Sequence, residues 1–465
     1  MVRAVITRRN VTLGLGASVG TGVANLALAA CGVGSLGTQA PVPKQIDYST
    51  VTFQHLAKGV SAANMRNYDR VIRELFEPAH LGIKVEIIPD GGLGYWAKLL
   101  ALLAAGTPPD AAQQDEYFMA HLIKKNQLLE LTPLQVKDRR FEPKGMFEGA
   151  WRAGHFHNKL YGLSAGIFGP LVKYNKDHFD EAGIAYPPAD PKATKWTWNQ
   201  LREDAKKLTK HDASGQVTRA AFGWDARFLS RFSGQFYAYG ARVVDRIDDP
   251  TKCVLDEPAS IEFIQLLHDM RHVDRTAAPA EWYASTGDAR TKGLPGDNGA
   301  LFRDGKLSVS IELLNLSDTR KTNLRWDYAP LPRSNNGGKV GGFVGANVFT
   351  GMKDSKYPEL VWDWVSTMGG PKYHEFRMRD PDILDTPAWK SLMEEYAKMT
   401  PPDNIKANIE LGEYGTSSIM STAYVEMQDE ILNGLQQVWN NQAPVRQVVT
   451  EIVSRVNDLL KQAQK

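Results

Sequence analysis

From residue 50 onward the chain alternates between two periods of apolar spacing. Residues 51–53 (Val-Thr-Phe) read as a short strand that ends in a polar loop at 54–59. Met65, Val71, Ile72, Leu75 and Phe76 recur at helical spacing across 64–77. Residues 83–88 (Ile-Lys-Val-Glu-Ile-Ile) alternate in part and predict a second strand, followed by a glycine-rich turn at 90–94. A strongly apolar helix is expected from Tyr95 to Ala105, stopped by Gly106. Residues 108–112 lead into a small buried strand, a polar loop follows at 113–117, and a further helix covers 118–126. Strand, helix, strand, helix in this order is an α/β pattern with a largely parallel sheet. Ligands of such sheets bind beyond the carboxyl ends of the strands. The loops at 54–59, 90–95 and 113–117 therefore converge on one edge.

The N-terminal stretch does not belong to this pattern. Residues 1–30 carry Arg3, Arg8 and Arg9 and no acid, and the first acidic residue is Asp47. A basic start, an apolar and small middle and a small-residue end describe an export signal at 1–30. Residues 7–13 (TRRNVTL) resemble a twin-arginine motif built on Arg8 and Arg9, with a general secretory signal as the alternative. Residues 28–31 (LAAC) resemble a lipoprotein cleavage site, so Cys31 is expected to carry a lipid anchor at the outer face of the membrane. Residues 31–46 are rich in Gly and Pro and read as its tether. Gly14, Gly16 and Gly20 imitate a dinucleotide fingerprint, but they follow no strand.

Composition narrows the function. Of 465 residues, 43% are hydrophobic and 23% charged, which suits sizeable cores and excludes a disordered chain or a coiled coil. A formal charge of +2 gives no field for capturing nucleic acid, and loss of the three signal arginines carries it to −1. Two cysteines cannot build a disulfide framework or a four-thiolate zinc site. No HExxH or phosphate-loop sequence occurs, and no cofactor is expected. His155 and His157 share one side of a strand-like stretch without a third ligand at metal spacing, so no metal is expected either.

Four segments carry a resemblance. Residues 95–134 (YWAKLLALLAAGTPPDAAQQDEYFMAHLIKKNQLLELTPL), 159–188 (KLYGLSAGIFGPLVKYNKDHFDEAGIAYPP), 300–338 (from ALFRDGKLSVSIE to WDYAPLPRSNNGG) and 357–376 (YPELVWDWVSTMGGPKYHEF) are similar, in order and spacing, to bacterial extracellular solute-binding proteins of ABC importers, sugar-binding branch. The family often has proline after the YGL of the second segment; here Ser164 stands there. The resemblance implies a two-lobe periplasmic-binding-protein-like fold of type II. It has mostly parallel sheets, helices on both faces and a ligand cleft between lobes that close by hinge motion. It places the first lobe at 46–163 plus 343–400 and the second at 168–337 plus 410–465. Crossings fall near 163–170, 337–345 and 398–412. The Gly-Gly-Phe-Val-Gly run at 341–345 suits a hinge, or else a tight turn.

It also implies a monomeric receptor, without enzymatic activity, that hands a carbohydrate to an ABC permease. A glycerol-phosphate-type ligand is the alternative binder reading, and a secreted carbohydrate-active enzyme the alternative class. A sugar site needs aromatic platforms and polar side chains of fixed geometry. From the first lobe Gln54, His55, Tyr95, Asp115, Glu116 and Tyr117 are candidates; Asp115 is equally suited to capping the next helix. Phe168 and Phe343 lie at crossings, to stack on ligand or to pack the hinge. Trp224, Arg227 and Phe232 follow a second-lobe strand, although their aromatic helix also reads as core. Asn315 stands where relatives often place an aromatic, and Tyr414 precedes the C-terminal helices.

Overall fold

The computed structural model describes residues 49–59, 61–89, 94–283, 298–313, 319–320, 322–335 and 340–464. Arg8, Arg9, Cys31 and Asn315 lie outside the described residues.

Among the described residues, twelve strands form two five-stranded sheets and a hairpin. The first sheet has the order β2-β1-β3-β12-β6, from β1 (Thr52–Ala57), β2 (Lys84–Pro89), β3 (Ala111–Asp115), β6 (Gly162–Ser164) and β12 (Asn347–Gly351). The second has the order β11-β7-β10-β9-β8, from β7 (Pro170–Asn175), β8 (Lys210–His211), β9 (Val217–Trp224), β10 (Leu307–Leu313) and β11 (Trp326–Ala329). β4 (His155–Phe156) and β5 (Lys159–Leu160) make the hairpin. Helices cover both sheets, and the two-lobe α/β fold expected from the sequence is what the chain adopts.

The sheets are mixed rather than mostly parallel. β1 runs parallel to β2 and β3, and β10 parallel to β9. Antiparallel pairs enter where the chain changes sheets. β6 ends at Ser164 in the first sheet and β7 begins at Pro170 in the second; β12 then returns antiparallel to β3. A strand arriving from the opposite sheet enters at the edge where the parallel strands end, so it must run against them.

Two strands are longer than their apolar pattern suggests. β1 continues to Ala57 and β3 to Asp115, so residues 54–57 and 113–115 are strand, not loop. Pairing of Gln54-His55 with β2 and β3, and of Gln113-Gln114 with β12, overrides their local polarity.

Each sheet has its own core. Phe53, Val71, Phe76, Phe349 and Trp364 pack on the first, where the helix Pro358–Met368 lies over β12. Trp198, Phe222, Trp224, Phe263 and Trp439 pack on the second. Helix ends follow local chemistry. The helix Lys176–Ala182 starts under the Asn175 side chain, which accepts from the Asp177 and His178 N–H groups. It stops at Gly183, whose φ of 64° is left-handed.

Between the sheets the crossing segments are hydrogen-bonded to one another. Phe168 and Gly345 exchange backbone bonds of 3.0 and 2.8 Å. Val344 donates to the Thr416 carbonyl at 2.9 Å and Thr416 donates to Gly342 at 2.8 Å. Segment 415–420 is tied in turn to residues 247–249, through Met420 donating to Ile247 at 2.7 Å and Asp249 donating to Met420 at 3.0 Å. Residues 396–411 do not cross freely between sheets. Tyr396, Ile405 and Leu411 share a core with Leu171, Trp326 and Tyr328 of the second sheet.

Glycine serves these crossings by close approach rather than by φ. Gly341, Gly342 and Gly345 all avoid the left-handed region. A Cβ on Gly341 would stand 2.3 Å from the Tyr237 carbonyl oxygen, and one on Gly169 would stand 2.0 Å from that of Phe343. Ser164, in place of the proline common in relatives, folds its own turn. Its hydroxyl donates to the Gly166 carbonyl at 2.8 Å and accepts from the Gly166 N–H at 3.2 Å.

Candidate functional site at the strand ends

The carboxyl ends of β1 and β3 lie beside the start of β12, because Asn347 pairs with Asp115. Three polar side chains meet there. The Lys58 ammonium makes an ion pair with the Asp115 carboxylate and also donates to Asn347 Oδ1 at 3.3 Å. Tyr117 follows in the turn after β3, and its ring stacks on Tyr424 with centroids 4.4 Å apart and planes 20° from parallel. Burial pushes the Tyr117 hydroxyl well above its ordinary range; Asp115 adds to the rise and Arg231 opposes it. Tyr117 thus feels charges contributed from both sheets.

The second sheet supplies the facing group at the end of β9. Asp225 is buried, and its carboxylate accepts from the Arg227 N–H at 3.0 Å and from the guanidinium groups of Arg227 and Arg231 at 3.2 and 3.0 Å. Burial alone would raise its pKa, but Arg231 and Arg227 outweigh it and hold the carboxyl below the usual range. Arg231 also lies 4.3 Å above the Phe228 ring. The Tyr424 hydroxyl accepts from the Ser230 N–H at 3.0 Å, which fixes the ring that Tyr117 stacks on. The arrangement offers the partly exposed ring of Tyr117, backed by the buried Tyr424 ring, beside carboxylate, amide, ammonium and guanidinium groups of fixed position. It can hold hydroxyls through charge-assisted hydrogen bonds.

Several residues expected at this site lie elsewhere. His55 is fully buried in the first core, where Trp364 Nε1 donates to its Nδ1 at 3.2 Å and Tyr68 lies 3.4 Å from its Nε2. Burial lowers its pKa from 6.5 to about 3, so it is a neutral core histidine. Trp224 and Phe232 are also fully buried; Trp224 packs between Phe222, Trp439 and the Arg271 guanidinium. Trp224, the last residue of β9, faces the helices and points inward, and Phe232 lies on the buried face of the helix Leu229–Tyr239. Tyr95 opens its helix inside the core with Leu56, Leu99 and Phe118. Gln54 sits mid-strand and donates to Glu86 on β2 at 3.2 Å.

Phe168 and Phe343 meet edge to face, with centroids 6.2 Å apart, and pack the crossings. Tyr414 ends the helix Ala407–Tyr414 against the second-sheet core. Glu116 is buried and spans the crossings, as described below. Of the expected set, Asp115, Tyr117 and Arg227 are brought together. Lys58, Asn347, Phe228, Arg231 and Tyr424 join them without having been singled out. Lys58 directly follows β1 and Arg231 lies in the first turn of the helix after β9, so strand-end position was the available signal. Tyr424, far along the chain, gave none.

His155 and His157 diverge: His155 Nδ1 bonds the Trp151 carbonyl at 2.8 Å, while His157 contacts Asp249. Among the described residues no group of three His, Cys, Asp or Glu is placed to hold a metal.

Comparison with known proteins agrees with this architecture. Residues 59–375, more than half of the chain, match the sequence profile of the bacterial extracellular solute-binding proteins. A relative from Brucella abortus (strain 2308), named only as a binding protein, is 25% identical over 304 residues. The match spans 63% of this chain and 66% of that relative's length. An ABC substrate-binding protein from Listeria monocytogenes, solved in complex with cycloalternan, superposes with a TM-score of 0.75 at 21% identity, covering 88% of this chain and 99% of the other. UgpB from Mycobacterium tuberculosis, in complex with glycerophosphocholine, superposes at 0.70 with 18% identity, covering 89% and 99%. MalE from Xanthomonas citri, a sugar-binding protein, does so at 0.69 with 18% identity, covering 89% and 98%. With its two sheets, its linked crossings and this profile match, the chain belongs to the bacterial extracellular solute-binding protein family.

Proposed function

We propose that the chain is the extracytoplasmic receptor of an ABC importer and captures a mono- or oligosaccharide by closing its lobes. The observation that carries the reading is the stacked Tyr117–Tyr424 pair beside the Lys58–Asp115–Asn347 cluster. An aromatic face next to fixed donors and acceptors suits the C–H face and hydroxyl rim of a sugar. The ligands bound by structural relatives, cycloalternan and maltotetraose among them, support a carbohydrate.

A phosphorylated ligand is favoured less. Arg227 and Arg231 are bound to Asp225 and Lys58 to Asp115, so a phosphate would compete with two carboxylates for the same cations. The glycerophosphocholine complex of a relative keeps that ligand in the test. No catalytic role is assigned. The site's carboxylates Asp115 and Asp225 are each held by a cation, which suits recognition better than proton transfer.

In this reading the lobes are 46–163 with 343–395 and 168–337 with 396–465; the third crossing lies in the stretch before Tyr396 rather than at 398–412, because 396–411 packs with the second sheet. Export through residues 1–30, a lipid anchor on Cys31, delivery to permease subunits and a monomeric state complete the proposal.

The test is thermal unfolding against a panel of maltose, maltotetraose, cycloalternan, tagatose and glycerophosphocholine. A true ligand at one hundred times its Kd adds about 2.7 kcal/mol of stability. Stabilisation by a sugar that is lost in Asp115→Asn supports the reading. Stabilisation by glycerophosphocholine alone, or hydrolysis of a sugar, overturns it.

A further inference from the structure

Glu116 stands beside the ligand-facing Asp115 but does not share its surroundings. It is 1% exposed and sits where three segments meet. Its N–H donates to the Ala346 carbonyl at 3.3 Å, and the Ala346 N–H returns a bond to Oε2 at 3.2 Å. Oε1 accepts from the Ser418 N–H at 2.9 Å. One carboxylate therefore ties the end of β3 both to the crossing that enters β12 and to segment 415–420. That segment is anchored on the other side to residues 247–249. Arg152 approaches the same segment, donating to the Ser417 hydroxyl at 2.8 and 3.1 Å.

A buried carboxylate that bonds two backbone N–H groups from different segments fixes their separation more firmly than apolar contact does. From this we infer that Glu116 is the positioning residue of the hinge: it transmits the position of Asp115 at the strand end to the crossings that rotate on closure. This rests on the receptor reading for its purpose, but not for its test. The role differs from ligand contact. Glu116 is covered on all sides and acts through Ala346 and Ser418.

Two ligand-free measurements test it, on the full chain carrying Cys31→Ser, with Glu116→Gln and Glu116→Asp as variants. Gln offers one acceptor oxygen, so one of the two backbone N–H groups loses its partner. Asp is one methylene too short to span both. The first measurement is hydrogen exchange resolved to peptides covering 343–348 and 415–420, with global unfolding in urea alongside. Exchange at least tenfold faster in those two peptides, with β1 and β10 peptides unchanged, supports the inference. Unchanged exchange in both variants overturns it, and so does acceleration spread evenly over the chain, which marks a merely structural role. The second is the distance distribution between spin labels on Lys84→Cys and Lys206→Cys. The inference predicts a broader or displaced distribution in both variants before any sugar is added; a distribution identical to that of the unmodified hinge overturns it. Because neither measurement uses a ligand, failure of the sugar reading leaves both interpretable.

Discussion

The reassignment of His55 from cleft to core has a thermodynamic signature. Trp364 Nε1–H donates to Nδ1, which makes Nδ1 an acceptor and places the ring proton on Nε2, toward Tyr68. Tyr68 in turn donates to Gln113 Oε1 at 3.0 Å. A second ring proton would point at the Trp364 N–H inside a sealed apolar core. Burial accordingly lowers the histidine pKa from 6.5 to about 3. The unfolded chain then binds a proton that the folded chain refuses, so the stability this neutral ring contributes is present above pH 6.5 and is lost as pH falls toward 3. At about 1.4 kcal/mol per pH unit, the loss is about 2 kcal/mol by pH 5 and about 5 kcal/mol by pH 3. The assay is urea unfolding at pH 7, 6 and 5 for the unmodified chain and for His55→Gln, which keeps one acceptor and one donor without titrating. Other groups titrate in both proteins, so the difference between them isolates His55. That difference should shrink by about 2 kcal/mol from pH 7 to pH 5. A flat difference, coupled with a sugar affinity that falls near pH 6.5 only in the unmodified chain, would place His55 at the ligand and refute the reasoning.

Three further outcomes follow from the same packing. Trp224→Ala should cost about 3–5 kcal/mol in urea unfolding, as a large core truncation does, while the affinity of the remaining folded protein for sugar stays unchanged. Gly341→Ala drives a methyl group into the Tyr237 carbonyl, 2.3 Å away, and should lower stability by about 1–3 kcal/mol or more; an unchanged melting temperature would contradict the close approach. Asp115→Asn should weaken sugar binding at least tenfold in calorimetry with little change in urea unfolding, because the partly exposed pair with Lys58 adds little to stability.

The fold was legible wherever periodicity reported burial. Helical spacing in 64–77 and the apolar run after Tyr95 each produced the expected helix, and Gly106 stopped the second with a left-handed φ of 69°. The missed strand extents share one cause. Gln54-His55 and Gln113-Gln114 are polar, yet pairing with neighbouring strands keeps them in the ladder, and a single sequence shows no neighbours. The same blindness affected the site. His55 and Trp224 have the right chemistry for a sugar and lie close to strand ends, but strand register decides which way a side chain points. Lys58 and Asn347 were passed over because their partnership spans 289 positions and exists only after β12 folds beside β3. Asp115 and Tyr117 lie at the strand end expected of them, because position at and after a buried strand does not depend on register alone. Glu116 lies in the expected turn, while its burial against Ala346 and Ser418 comes from segments over two hundred residues away.

The most direct test of the receptor reading is the inter-lobe distance itself. Spin labels on Lys84→Cys and Lys206→Cys, in the Cys31→Ser chain, report the separation with and without the sugar that stabilises the protein most. The account predicts a single shorter distance on sugar addition, abolished by Asp115→Asn combined with Tyr117→Ala. A distribution that no sugar in the panel alters would contradict it.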